Sequence, residues 1–128
     1  MHMGRRFVIL GALFGMVGVG MGAFGAHALD GVLKANGRQS VYETAVQYQF
    51  IHALAILFTS SAIRRWPGNL TRAAGILFTI GTVFFSGSLY VLAIFNISWM
   101  GAIAPIGGVA LILGWLCLIL MAWQDNIA

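Results

Sequence analysis

The chain has 128 residues, of which 60% are hydrophobic and 8% charged. Soluble domains carry roughly 25% charged residues, so the composition excludes a water-soluble globular protein, and the length leaves room for one domain, residues 1–128. The net charge of +4 is spread along the chain without a clustered basic face, which excludes a nucleic-acid footprint.

The few charges divide the chain. Between them lie charge-free runs at Phe7–Leu29, Thr44–Ile63 and Ala73–Gln124. A membrane-spanning helix needs about 20 apolar residues, so the first two runs are one span each. The third holds 52 residues and as one helix would be about 78 Å long at 1.5 Å per residue, so it doubles back. Asn96-Ile97-Ser98-Trp99 is the turning point, with Asn96 as a helix stop and Ser98 as an N-cap. The spacing predicts four spans, near 6–29, 41–63, 70–95 and 99–123.

The first span carries a glycine stripe, Gly11, Gly15, Gly18, Gly22 and Gly25, at spacings of four and three. Small residues in register let helix backbones approach closely. The stripe is read as packing within one bundle, with a dimer interface as the alternative. Arg5-Arg6, an apolar run and Ala26-His27-Ala28 also resemble a signal peptide, but the run exceeds the usual length of the apolar segment. Ser40-Val41-Tyr42-Glu43 has capping-box spacing at the start of the second span. Arg64 and Arg65 close that span, where cations suit the helix dipole, and Pro67 follows.

Within the second span Thr44, Tyr48, His52, Ala55 and Thr59 share a face, with Gln49 at its margin. His52, counted from Val41, lies about 16 Å deep. An ionisable residue at that depth is a functional candidate by default, although a neutral histidine locking the bundle through hydrogen bonds is the simpler reading, and a ligand, proton, ion, metal or haem site the sharper ones. The third span has a lesser stripe, Gly75, Thr79, Thr82 and Ser86, read as packing. Topology brings further groups to the same half: His27 at the end of the first span, Ser86, Gly87, Ser88 and Tyr90 in the third, and Pro105, Gly107 and Gly108 in the fourth, where Pro105 is expected to kink its helix. The candidate ligand-binding set is therefore His27, Tyr48, Gln49, His52, Ser86, Ser88, Tyr90 and Pro105. The single cysteine, Cys117, allows no intramolecular disulfide, and neither a CxxC motif nor a zinc-ligand set occurs.

Arg5, Arg6, Arg64, Arg65 and Arg72 fall in the N-terminus and second loop, and only Lys34 and Arg38 in the other two loops. This bias favours both termini in the cytoplasm, with Tyr42 and Trp99 at the outer interface and Trp66 and Trp123 at the inner one. The fold class expected is an all-α integral membrane four-helix bundle of up-down topology, multi-pass in a bacterial plasma membrane.

Four stretches in order, one per helix, carry a resemblance: Gly22-Ala23-Phe24-Gly25-Ala26-His27, Tyr48-Gln49-Phe50-Ile51-His52-Ala53-Leu54-Ala55, Phe85-Ser86-Gly87-Ser88-Leu89-Tyr90, and Pro105-Ile106-Gly107-Gly108 with Gly114-Trp115. On these the chain resembles the small membrane proteins of domain of unknown function family 423, whose animal relative is transmembrane protein 256. Ala104 departs from the threonine the family often has before the proline. The resemblance implies a four-helix membrane protein and brings no activity with it.

The residues themselves argue against an enzyme, because paired carboxylates and a nucleotide loop are absent and a Ser86 or Ser88 dyad with His52 lacks an orienting acid. The leading expectation is a non-enzymatic binding or accessory module without a cofactor, holding a lipid, quinone or partner helix at a polar site in the outer half. It would act in the lipid bilayer as a homo-oligomer or within a larger membrane complex. A small oligomeric transporter or channel passing His52 is the first alternative and a purely structural bundle the second.

Overall fold

A computed structural model describes residues 2–127 of the chain. Helix α1 runs Met3–Ala26, α2 Asp30–Asn36, α3 Gln39–Arg65, α4 Asn69–Phe95 and α5 Ala104–Ile127, with a short 3₁₀ turn at Ser98–Ala102 before α5. Four helical segments are long and apolar enough to cross a membrane, the last including the 3₁₀ turn. Burying the backbone polar groups inside helices is what allows such segments to enter lipid. The four run up and down. His2 shares a cleft with Arg64 and Arg72, and Asp125 shares another with Trp66 and Asn69, so both chain ends lie beside the α3–α4 turn.

Helix α1 packs on α3, α3 on α4 and α4 on α5, whereas α1 and α5 do not meet among the described residues. The bundle is thus open along one side. The α1–α3 interface is a glycine ladder of period seven. A Cβ at Gly4 would stand 3.1 Å from the Ser60 carbonyl oxygen, at Gly11 2.7 Å from the Leu57 side chain and at Gly18 3.0 Å from the Phe50 ring; at Gly25 it would enter the Tyr42 ring. A seven-residue repeat keeps one stripe facing its partner as the helices coil about each other. Two members of the expected stripe stand apart from this ladder: Gly22 makes only ordinary contact with Val46, and Gly15 has nothing within 4 Å. Gly4, outside the expected stripe, is its first rung.

The α4–α5 interface closes on Gly81 and Gly107. A Cβ on Gly107 would strike the Phe85 amide nitrogen and lie 2.9 Å from the Gly81 carbonyl oxygen. Phe7, buried, lays its ring on Gly75 and joins Ile56, Phe78 and Leu111 in the main core. A smaller core at the other end gathers Leu33, Tyr42 and Ala93.

Several local expectations are corrected. The first span ends at Ala26, and the chain turns into α2, which Gly37 closes in the left-handed conformation at φ 65°. Leu33 of α2 is buried under α3 and α4, and this apolar anchor makes the connection a helix. The capping box does not form: α3 starts at Gln39 with Arg38 at its N-cap and without a side-chain cap, and Ser40 lies inside the first turn. Asn96 does stop α4, in the left-handed region at φ 55°, with Arg38 Nε donating to its side-chain oxygen at 3.4 Å. Ser98 opens the 3₁₀ turn and is not its N-cap, which is Ile97. Pro105 produces no mid-helix kink. It sits in the first turn of α5, where the missing N–H would have no helical partner anyway. Tyr42, expected at the outer interface, is buried within the protein and donates its hydroxyl hydrogen to the Met21 carbonyl.

Candidate functional site

Helices α3 and α4 carry the polar side chains that point inward: Gln49, His52, Thr59 and Ser60 from α3, and Thr71, Thr82, Ser86 and Ser88 from α4. Three of the eight candidate residues converge where α1, α3 and α4 meet. Gln49, only 5% exposed, donates from Nε2 to the Phe14 carbonyl at 2.8 Å and accepts at Oε1 from the Tyr90 hydroxyl at 2.6 Å. Ser86, also buried, donates to the Ala45 carbonyl at 2.8 Å. Each bond joins two different helices. The Tyr90 ring meets Tyr42 edge-on at 5.2 Å, which ties this cluster to the smaller core. Beside it runs a cleft of about 250 Å³ between α1 and α4, lined by Leu13, Phe14, Val17, Gln49, Thr82, Val83, Ser86, Gly87 and Tyr90.

His52 belongs to a second cluster, on the side of α3 that faces α5. Its Nδ1 lies 2.8 Å from the Tyr48 carbonyl oxygen and its Nε2 receives the Trp115 indole N–H at 3.0 Å. A carbonyl can only accept and an indole N–H can only donate. The two partners together therefore specify a neutral imidazole protonated on Nδ1. Aromatic rings surround it: Tyr48 stacks at 6.0 Å, Phe78 and Trp115 each approach to 5.7 Å, and Tyr48 leans on Phe85 at 4.7 Å. His52 is 3% exposed, whereas Tyr48 and Trp115 are 39% and 42% exposed. The two larger rings roof the imidazole toward the lipid. With both ring nitrogens engaged, His52 has no lone pair left for a metal ion.

The remaining candidates lie outside both clusters. His27 is the exposed C-cap residue of α1, Pro105 is exposed at the start of α5, and Ser88, though buried, donates to the Phe85 carbonyl of its own helix at 3.0 Å. The Ser–His pairing does not exist, because Ser86 and Ser88 bond to carbonyls and His52 bonds to Trp115. No hydrogen bond links the Gln49 cluster to the His52 cluster among the described residues. Thr59 and Thr82 return their hydroxyls to carbonyls one turn earlier. Among the described residues no three His, Cys, Asp or Glu side chains gather as a metal site would require.

Three participants escaped the sequence reading. Trp115 was visible only as part of a Gly-Trp pair, and its partner on α3 depends on the α4–α5 register. Asn36 donates to the carbonyls of Ala93 and Ile94 at 2.9 and 3.1 Å, satisfying the end of α4. Its signal was an amide in the same loop as Arg38, which holds Asn96. Tyr42 was read as interfacial because it falls near a helix end.

Comparison with known proteins gives a consistent picture. The family described as "Protein of unknown function (DUF423)" matches residues 21–108. The chain is 48% identical over 120 residues to a UPF0382 membrane protein of Staphylococcus haemolyticus, covering 94% of this chain and 97% of that one. It is 42% identical over 120 residues to the UPF0382 membrane protein YwdK of Bacillus subtilis, covering 92% and 96%. No solved structure matches. With the matched region reaching from the end of α1 to the start of α5, and relatives of nearly equal length called membrane proteins, the chain belongs to the DUF423 family of membrane proteins.

Proposed function

We propose that the protein is a non-enzymatic accessory module of the bacterial plasma membrane whose α1–α4 cleft holds the hydrocarbon tail of a lipid or quinone. The observation that carries this reading is the cleft itself: apolar walls from Leu13, Phe14, Val17 and Val83, with Gln49, Ser86 and Tyr90 at its polar margin. Its volume of about 250 Å³ lies below the roughly 300–1,000 Å³ of pockets that enclose compact small molecules, which suits a stretch of tail. The polar margin is braced by bonds to three helices, so it is a rigid wall. Both termini face the cytoplasm, on the side where the five arginines at positions 5, 6, 64, 65 and 72 stand, and the polar margin then falls in the outer half.

Gly87 lines the cleft and has open space around its Cβ position, so Gly87→Leu fills the cleft without disturbing the fold. Protein extracted gently from native membranes is expected to carry a tail-bearing molecule in this cleft, and Gly87→Leu to carry one fewer per chain by mass spectrometry with helicity unchanged. Equal content in both proteins, or none in either, refutes the reading. A purely structural role is the second reading, favoured by the fact that Gln49, His52, Ser86 and Tyr90 already have hydrogen-bond partners within the protein.

A further inference from the structure

The basic end of the bundle holds a second cleft, separate from the one between α1 and α4. It has a volume of about 820 Å³ and lies between the start of α1, the end of α3 and the start of α4. Arg5, Arg64 and Arg72 line it, one from each helix, together with Ser60 and an apolar floor of Val8 and Ile63. The three arginines form no salt bridge among the described residues. Among the described residues the one salt bridge in the molecule is Lys34–Asp30, which lies at the opposite end. The nearest acid by position, Asp125, lines a different cleft with Arg65 and Trp66. The charge bias that orients the chain accounts for basic residues at this end; it does not account for three of them, from three helices, converging on a single cavity with an apolar floor.

We propose that this cleft binds the headgroup of an anionic phospholipid, its phosphodiester held by Arg5, Arg64 and Arg72 and the first acyl methylenes lying on Val8 and Ile63. Arginine presents a planar fork that matches phosphate oxygens, and basic pockets between membrane helices are a recurrent way of holding anionic headgroups. The start of α1, whose His2, Met3 and Gly4 line the cleft, lacks a side-chain cap, so its first-turn N–H groups add positive potential at the cavity. The floor distinguishes a lipid from a free anion. Val8, 47% exposed, sits a turn deeper than Arg5 and would face the acyl chains of any lipid whose phosphate reaches the arginines. A bound lipid of this kind bridges α1, α3 and α4.

The test is native mass spectrometry of the purified full chain titrated with phosphatidylglycerol or with phosphatidylcholine of the same acyl composition. One phosphatidylglycerol is expected to persist per chain where phosphatidylcholine does not. Arg5→Gln and Arg72→Gln are each expected to weaken its retention about fivefold, the effect of roughly one cationic side chain at a lipid surface. Arg72→Lys, which keeps the charge but loses the fork, is expected to fall between the wild type and Arg72→Gln, and Arg65→Gln, which removes the same charge from the same end but outside the cleft, leaves the affinity unchanged. Should Arg72→Gln lose helicity, Arg5→Gln at an exposed helix start decides. No preference between the two lipids overturns the proposal, as does an equal loss in Arg65→Gln, which would mean diffuse attraction to a basic surface. Displacement of the lipid by millimolar inorganic phosphate would assign the arginines to a free anion and overturn it as well.

Discussion

His52 illustrates how a buried polar residue in a membrane protein resolves into geometry. Its depth flagged it as a candidate, and the structure surrounds it with partners that each accept one role. Trp115→Phe removes the indole donor and leaves Nε2 facing aromatic carbon. Intramembrane hydrogen bonds average about 0.6 kcal/mol and reach about 1.7, so a cycle combining Trp115→Phe with His52→Phe is expected to give a coupling of about 0.5–2 kcal/mol, measured by reversible unfolding in mixed micelles. A coupling near zero would show that the Trp115–His52 bond adds nothing to stability. That His52 faces protein was legible from its place among Thr44, Ala55 and Thr59 on one helix face. That it faces Trp115 was not, because helical spacing sets the angle of a residue on its own helix and says nothing of how far a neighbouring helix slides along its axis.

The helices pack through glycines, and the rungs differ in what a methyl group would meet. At Gly107 the obstacles are the backbone of Phe85 and Gly81, which cannot rotate away, whereas Gly15 has open space. Overpacking costs about 1–3 kcal/mol and sometimes more, so Gly107→Ala is expected at or above the top of that range and Gly15→Ala near zero, read as shifts in thermal unfolding of detergent-solubilised protein. Gly11→Ala should fall between them, since Leu57 is a side chain able to shift but the Ala53 carbonyl oxygen at 3.0 Å is not. The existence of a packing stripe on α1 could be read from Gly11, Gly18 and Gly25. Its true period needed Gly4, which sits beside two arginines and reads as part of the polar flank. Helix α2 was missed for a related reason. Asp30–Asn36 carries one large buried anchor, Leu33, and a single apolar contact leaves no periodicity to detect. Pro105 misled because a proline inside a long apolar run signals a kink, and only the 3₁₀ turn before it shows that the helix begins there.

For the molecule as a whole, charge placement carried the architecture. Four apolar segments separated by short polar links leave an up-and-down arrangement as the simplest solution, and the structure has it. Cysteines introduced at Arg5 and Gln124, one per otherwise cysteine-free chain, are expected to react alike with a membrane-impermeant maleimide added to intact cells: neither labels, and both label after permeabilisation. One cysteine labelling without the other would break the up-down reading, and both labelling from outside would invert the proposed orientation. The main interfaces join α1 to α3, α3 to α4 and α4 to α5, each pair consecutive among the spans. A growing chain delivered span by span into lipid therefore meets its docking partner immediately upstream at every stage, and assembly requires neither threading nor a long search, the situation in which contact order is low and folding fast.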